Sequence, residues 1–384
     1  MAVYKIFPTE DATLYSLFPG MNTGLDEIIE ATTTTFAYDG LNPQTSRFLV
    51  RFSSTEMNNV ITNLIGTSSW DSSFNCYIAN VTGLGTASVV EAWPIALDWR
   101  MGTGHYLDSP LTTDGVSWQF LQYSGSTQWA PNGVIPSGDI TASYSGSNFG
   151  GGVWYTGSVD NSLYNVTQSL VYGEDIDLSF SAKTIVSDWY SSSVFPSSGI
   201  NINNNGFIVK QANNQEFVNN RNSAVELKYF SVDTHTIYPP NLEFKWVDYT
   251  RDTSPTISEI TTPSIYLSLD ENPGVFYSES INRFRINCRP KYPARVWVTS
   301  SLYTTQYYLP TASYYAIKDL DTNEYVVNFD STYTQISADN TSSFFDVYMN
   351  GLQPERYYKI LLQTTIAGST LVVDDNYTFK IVNG

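Results

Sequence analysis

Residues 11–15, Asp-Ala-Thr-Leu-Tyr, alternate polar and apolar side chains, the period-two signature of a half-buried strand. The β-branched stretch 27–34 and the run 46–52 predict two more strands, with the loop Pro19-Gly20-Met21-Asn22-Thr23-Gly24 between the first two. One helix interrupts this sheet. Ser53-Ser54-Thr55-Glu56 has capping-box spacing, and Met57, Val60, Ile61, Leu64 and Ile65 then recur at helical intervals until Gly66. A second short helix is predicted over 182–190. Residues 93–155 are crowded with Gly, Ser, Pro and Trp and carry few periodic apolar runs, which predicts long loops across an otherwise compact sandwich. Strand patterns resume at 207–210, 225–230 and 242–246.

Residues 248–263 are polar, lack periodicity and contain Thr-Ser-Pro and Thr-Thr-Pro steps, so they read as a linker between domains 1–247 and 264–384. Beyond it, strands are predicted at 284–288, 295–298, 314–318, 325–329, 344–349, 357–364 and 370–381, the dense spacing of a small sandwich. Gly351-Leu352-Gln353-Pro354-Glu355-Arg356-Tyr357-Tyr358 places a tyrosine at the entrance of one of them, as in the tyrosine corner of immunoglobulin-type sandwiches; a merely buried tyrosine is the other reading. The expected fold is all-β: an N-terminal jelly-roll-like β-sandwich with long loops and short helices, then a C-terminal immunoglobulin/fibronectin-like β-sandwich.

Composition agrees with the pattern. Aromatic residues reach 15%, led by 28 Tyr, and 42% of positions are apolar against 15% charged, enough to bury a core and too little charge for a disordered chain. With 19 basic against 37 acidic residues the formal charge is −18, which argues against nucleic acid or an anionic membrane as partner. Cys76 and Cys288 are expected as two buried, reduced thiols. The N-terminal residues lack the long apolar stretch of a signal peptide or anchor, so the protein is expected to fold in a cytoplasm.

Candidate chemistry is sparse. Acid–base catalysis near neutral pH commonly employs histidine, and the chain has His105, in a Gly-flanked loop, and His235; both are expected to be structural. No Gly-x-Ser-x-Gly elbow, His-Glu-x-x-His pair, Cys-x-x-Cys or phosphate-cradling Gly-Lys-Ser/Thr loop occurs. A glycosidase needs only two spaced carboxylates, which leave no sequence signature. Asp374-Asp375 and Asp319/Asp321 are the densest acidic groups, and turns account for both. The run 319–330 has a superficial calcium-loop spacing, but Glu324 stands where the sharp turn needs glycine, and Asp321-Thr322-Asn323-Glu324 reads instead as a hairpin turn. Trp99, Trp118, Trp129 and Trp154 in the loop-rich middle are candidate glycan or partner contacts, because pyranose faces stack on aromatic rings; their other reading is as pins that hold long loops to the core. No catalytic residue, no cofactor-binding residue and no metal ligand is expected.

The succession of Asp11–Tyr15 and Asn22-Thr23-Gly24, then 47–52, then Trp99, Asp114–Trp118 and Trp129, then Asn205-Gly206-Phe207 resembles the DNRLRE-type β-sandwich of surface and carbohydrate-associated proteins. The whole chain is similar to virion structural proteins of contractile-tailed phages of marine cyanobacteria and related bacteria, notably in residues 228–240, 314–321 and 350–359. That resemblance implies a non-catalytic tail, baseplate, neck or head-associated component, made and folded in the host cytoplasm. Its implied partners are other virion structural proteins and copies of itself, with no nucleic acid and no membrane. The alternative is a carbohydrate or host-receptor binding module on the virion, its Trp-rich loops facing a host surface glycan.

Overall fold

The computed structural model describes residues 2–34, 44–85, 88–122, 127–129, 140–141, 150–157, 164–195, 199, 202–216, 224–253, 257–293 and 306–384. The chain divides into two compact units: a larger one of residues 6–66 and 71–243, and a smaller one of residues 1–5, 67–70 and 244–384. The fold is all-β, with short helices.

In the larger unit an eight-stranded sheet runs in the order Val166–Leu170, Ser88–Pro94, Phe207–Gln211, Gln44–Phe52, Ile28–Thr34, Val225–Phe230, Ile78–Thr82, and Pro8–Tyr15 also pairs with Gln44–Phe52. The central strands are buried on both faces, which is why Phe48-Leu49-Val50 and Phe207-Ile208-Val209 read as unbroken apolar runs without alternation. On one face Phe74 stacks on Phe207 at 4.7 Å and meets Phe52 at 5.6 Å, so that the antiparallel strands Trp70–Cys76 and Leu178–Ser181 form the second layer. Helix Lys183–Val194 adds Trp189 against Phe207, at 4.8 Å between ring centres. The opposite face is covered by loops rather than a sheet: Leu14, Leu49 and Ile208 pack in one cluster with Trp99, Trp118, Trp129 and Trp154.

The first predicted helix starts as its capping residues require, with the Ser53 hydroxyl accepting the Glu56 N–H at 3.3 Å ahead of Ser54–Asn59. From Val60 to Ile65 it widens, and Gly66, at φ 58°, closes the turn on the Ile61 carbonyl five residues back. Within 93–155, the described segments hold only short strands such as Phe120–Gln122 and Trp154–Tyr155, in keeping with the loops expected there.

The smaller unit is a sandwich. One sheet orders Ile265–Leu269, Ile281–Pro290, Ser343–Tyr348 and Ser337–Ala338; the other orders Val275–Tyr277, Thr378–Val382, Tyr357–Ile366, Ser313–Asp319 and Tyr325–Val327, with Ser369–Val373 also paired to Tyr357–Ile366. Leu267, Phe284, Ile286 and Phe345 from the first sheet meet Tyr315, Ile317, Tyr358, Ile360 and Phe379 from the second. Val275–Tyr277 runs parallel to Thr378–Val382, and the Tyr358 hydroxyl donates to the Gln353 carbonyl five residues upstream at 3.0 Å. That bond is the tyrosine corner of immunoglobulin-like sandwiches. The final stretch, expected as a single strand over 370–381, is two strands separated by a turn that contains Asn376 at φ 54°. Of the stretch read as a linker, Thr250 and Asp252 exchange backbone hydrogen bonds with Ala338, and Ser258–Glu259 pairs with Tyr307–Tyr308. The strand expected at 295–298 lies outside the described residues.

Candidate functional site

The four tryptophans proposed as ligand contacts are buried. Trp99 donates its indole N–H to the Asn205 carbonyl at 2.8 Å, and Trp129 donates to the Ser117 carbonyl at 2.9 Å. Trp118 and Trp154 flank the Arg47 guanidinium, whose carbon lies 4.9 and 5.4 Å from their ring centres. Rings buried this deeply have no face open to a sugar, so these residues pin the loops to the sheet and offer no stacking platform.

Arg47 is the centre of this arrangement. Its Nε and Nη2 donate to the two Glu216 carboxylate oxygens at 2.6 and 2.9 Å, and Nη1 donates to the Gly151 carbonyl at 2.6 Å. Lys210 Nζ stands 3.7 Å from Glu216 and 3.1 Å from Glu91. Gly151, at φ 78°, allows the close approach: a Cβ there would come within 2.7 Å of the Trp118 ring. Arg47, Lys210 and Glu216 are fully buried and each faces a group of opposite charge, which makes this an interior lock. Sequence pattern gives no sign of it, because the partners are far apart along the chain.

The histidines come to one acidic surface patch without forming a dyad. His105 Nδ1 lies 3.6 Å from Asp26 and His235 Nε2 3.7 Å from Glu27, both too long for a hydrogen bond, and both side chains are exposed. Burial, followed by the neighbouring acids, raises the carboxyls of Asp26 and Asp233 above the usual range despite their histidine neighbours. Among the described residues no group of three or more His, Cys, Asp or Glu side chains is placed to hold a metal ion. Cys76 and Cys288 are free thiols, both buried.

The acidic pairs form turns. Asp319 accepts the N–H groups of Asp321 and Thr322 at 2.9 and 3.0 Å and a two-pronged bond from Arg356 at 2.6 and 2.7 Å. Burial opposes its ionisation, but Arg356 and the turn N–H groups outweigh it and hold the carboxyl below the usual range. Asp374 pairs with Lys359 at 2.9 Å, and Asp375 accepts the Leu269 N–H at 3.1 Å.

An open cleft does occur in the smaller unit. Strand Ile265–Leu269 lies in one sheet and Val275–Tyr277 in the other, so residues 270–274 must cross between them, and the crossing leaves a cleft of about 740 Å³. Such a volume is typical of small-ligand pockets. Glu271 at φ 40° and Gly274 at φ 78° make the bend, while the Asn272 amide donates to the Thr378 carbonyl at 2.9 Å and the Tyr377 hydroxyl to the Glu271 carbonyl at 2.7 Å. Those bonds fix the rim. Phe276, Phe284 and Tyr377 form an aromatic floor, with ring centres 5.4 and 5.7 Å apart. Asp270, Glu271, Arg283 and Arg285 also line it, the two guanidinium groups held by Asp346 and Asp339 at 2.8 and 2.9 Å. Burial first, and then Asp270 and Glu271, push the Tyr377 hydroxyl up to about 12. The cleft was not foreseen from sequence, where Asp270-Glu271-Asn272-Pro273-Gly274 signals only a turn.

No family model matches the chain, and no curated protein matches it. A crystal structure of the β-glucuronidase of Parabacteroides merdae aligns with 99% of this chain and 36% of that chain at 8% identity and a TM-score of 0.17. The chain thus spans about a third of that enzyme's length, and a likeness this slight carries no argument about fold or activity. Among the described residues no helix is long and apolar enough to cross a membrane.

Proposed function

We propose that this chain is a structural component of a tailed-phage virion, placed in the tail, baseplate, neck or at the head, which acts by protein–protein packing in symmetric copies and without catalysis. The phage assignment rests on the sequence resemblance of residues 228–240, 314–321 and 350–359. The observation that carries the packing role is the exposed apolar and aromatic surface beside the cleft, where Tyr277 is 61% and Ile281 54% exposed, with Val275 also open to solvent. Exposed groups of this type mark contact surfaces, and the strand Val275–Tyr277 lies at a sheet edge. The chemically richest side chains, Arg47, Glu216 and the four tryptophans, are locked inside.

Its partners are then other virion proteins and further copies of the chain. The test is quantitative mass spectrometry of purified particles separated into heads and tails. Roughly six or twelve copies indicate a neck or baseplate and hundreds a sheath or shell, by the symmetry of closed rings; absence of the chain from particles overturns the proposal. A host-glycan module is the second reading, favoured by the aromatic floor of the cleft rather than by Trp99, Trp118, Trp129 and Trp154. Binding on a glycan array that is lost with Phe276→Ala would support it.

A further inference from the structure

Strands Ile265–Leu269 and Ile281–Pro290 run antiparallel, Leu269 opposite Ile286 and Ile265 opposite Pro290, so the pair has two chemically different ends. The first end opens into the cleft. Asp270 and Glu271 have no ion-pair partner among the described residues, whereas Arg283 and Arg285 are neutralised by Asp346 and Asp339. The mouth is therefore acidic above an aromatic floor.

The second end is basic and aromatic. Lys291 donates its backbone N–H to the Ser264 carbonyl at 2.8 Å, which fixes the start of the turn. Tyr292 stands 79% exposed, with the Lys291 ammonium 6.0 Å from its ring centre, and Arg289 lies 5.0 Å from the ring centre of the exposed Tyr266. No acid pairs with Arg289 or Lys291 among the described residues. Lys291 lies six residue steps beyond Arg285, about 20 Å at the usual strand rise, so the basic end of a chain cannot reach its own cleft.

We propose that the smaller unit binds a second copy of this chain head to tail, the Lys291–Tyr292 end of one copy seated in the Asp270–Glu271 cleft of the next. Opposite charge steers the two ends together, and an exposed tyrosine entering an aromatic-floored cleft is the kind of anchor that dominates binding energy. The formal charge of −18 opposes association at long range, but salt screens it beyond about 8 Å at physiological ionic strength, and the local pairing decides. The contact uses a different surface on each copy, so each addition leaves one of each free and the assembly grows into a ring or a filament. This inference deepens the packing role proposed above and rests on it.

Sedimentation velocity of the full chain tests it with two variants: one carrying Lys291→Ala and Tyr292→Ala, the other Asp270→Lys and Glu271→Lys. Wild-type chain should associate with rising concentration into species beyond the dimer. Each variant alone should bind itself at least about 30-fold more weakly, the effect of losing a hot-spot residue. Their equimolar mixture should form dimers and stop there, because one variant keeps an intact cleft and the other an intact basic end. A wild-type chain monomeric at every accessible concentration, a variant that associates like wild type, or a mixture that stays monomeric would each overturn the proposal. Circular dichroism checks that the variants fold, and the single change Tyr292→Ala, at a solvated position, serves if the cleft variant does not. Particles that contain the chain while the mixture fails to dimerise would refute this contact and leave the virion reading standing; particles without the chain would refute that reading instead.

Discussion

Replacing Glu216 by alanine leaves Arg47 inside the larger unit with its Nε and Nη2 stripped of their acceptors. Both side chains are fully buried, and the lost bonds are the 2.6 and 2.9 Å contacts of a two-pronged pair. Lys210 loses a neighbour at 3.7 Å and keeps Glu91. Removing one partner of a buried pair costs about 3–5 kcal/mol, because the remaining charge stays desolvated. Against a total stability of about 5–15 kcal/mol this is about a fifth or more. Six of the nine tryptophans lie in the larger unit, so the urea midpoint read from tryptophan emission reports chiefly on it. Glu216→Ala should lower that midpoint steeply, and the double change Arg47→Met with Glu216→Leu should recover much of the loss by removing both charges. A loss below about 1 kcal/mol for Glu216→Ala, the size expected of a surface pair, would refute the argument that this network locks the loops.

Three further outcomes are expected. Tyr358→Phe removes the corner bond to the Gln353 carbonyl and should cost the smaller unit about 0.5–1.5 kcal/mol in chemical denaturation, with no change in its circular dichroism. Asp11 is buried with Oδ2 bonded to the Val232 N–H at 2.6 Å and Oδ1 without a partner, and burial, ahead of Asp233 and Asp26, raises its carboxyl well above the usual range. The folded state therefore keeps the Asp11 proton that the unfolded state releases near pH 4, so stability falls as pH rises from there toward the raised folded value; Asp11→Asn should flatten that part of the stability–pH curve, and an unchanged curve would contradict the assignment. Burial pushes the Cys288 thiol up to about 12 and the Cys76 thiol higher than its ordinary value, so a disulfide reagent at neutral pH should label neither cysteine in the native protein and both in denaturant.

The elements legible in the sequence are those whose pattern is local. Ser53 and Glu56 mark a helix start because capping acts over three residues, and Tyr358 betrays its corner because its acceptor lies five residues away. Strand Ser88–Pro94 alternates buried and half-buried positions, yet its pattern is short and set among glycine and serine, and Trp70–Cys76 is diluted by Asp71, Ser72 and Ser73. The tryptophans were visible as residues but not as buried ones, since their burial depends on Arg47 and on sheet positions far away in the chain. The cleft was illegible for the same reason: it exists because consecutive strands join different sheets, and no local spacing reports a change of sheet.

Strand Gln44–Phe52 has a consequence for how the protein is made. Pro8–Tyr15 pairs with it early, but Val50 finds Phe207 as its other neighbour, and that partner leaves the ribosome only after roughly 150 further residues, about 10–30 s at ordinary elongation rates. Throughout that interval an apolar strand waits with an open edge, in the state most prone to pair with another nascent chain. Fragments that end before residue 207 should be insoluble, and slower growth or a holding chaperone should raise the yield of folded protein.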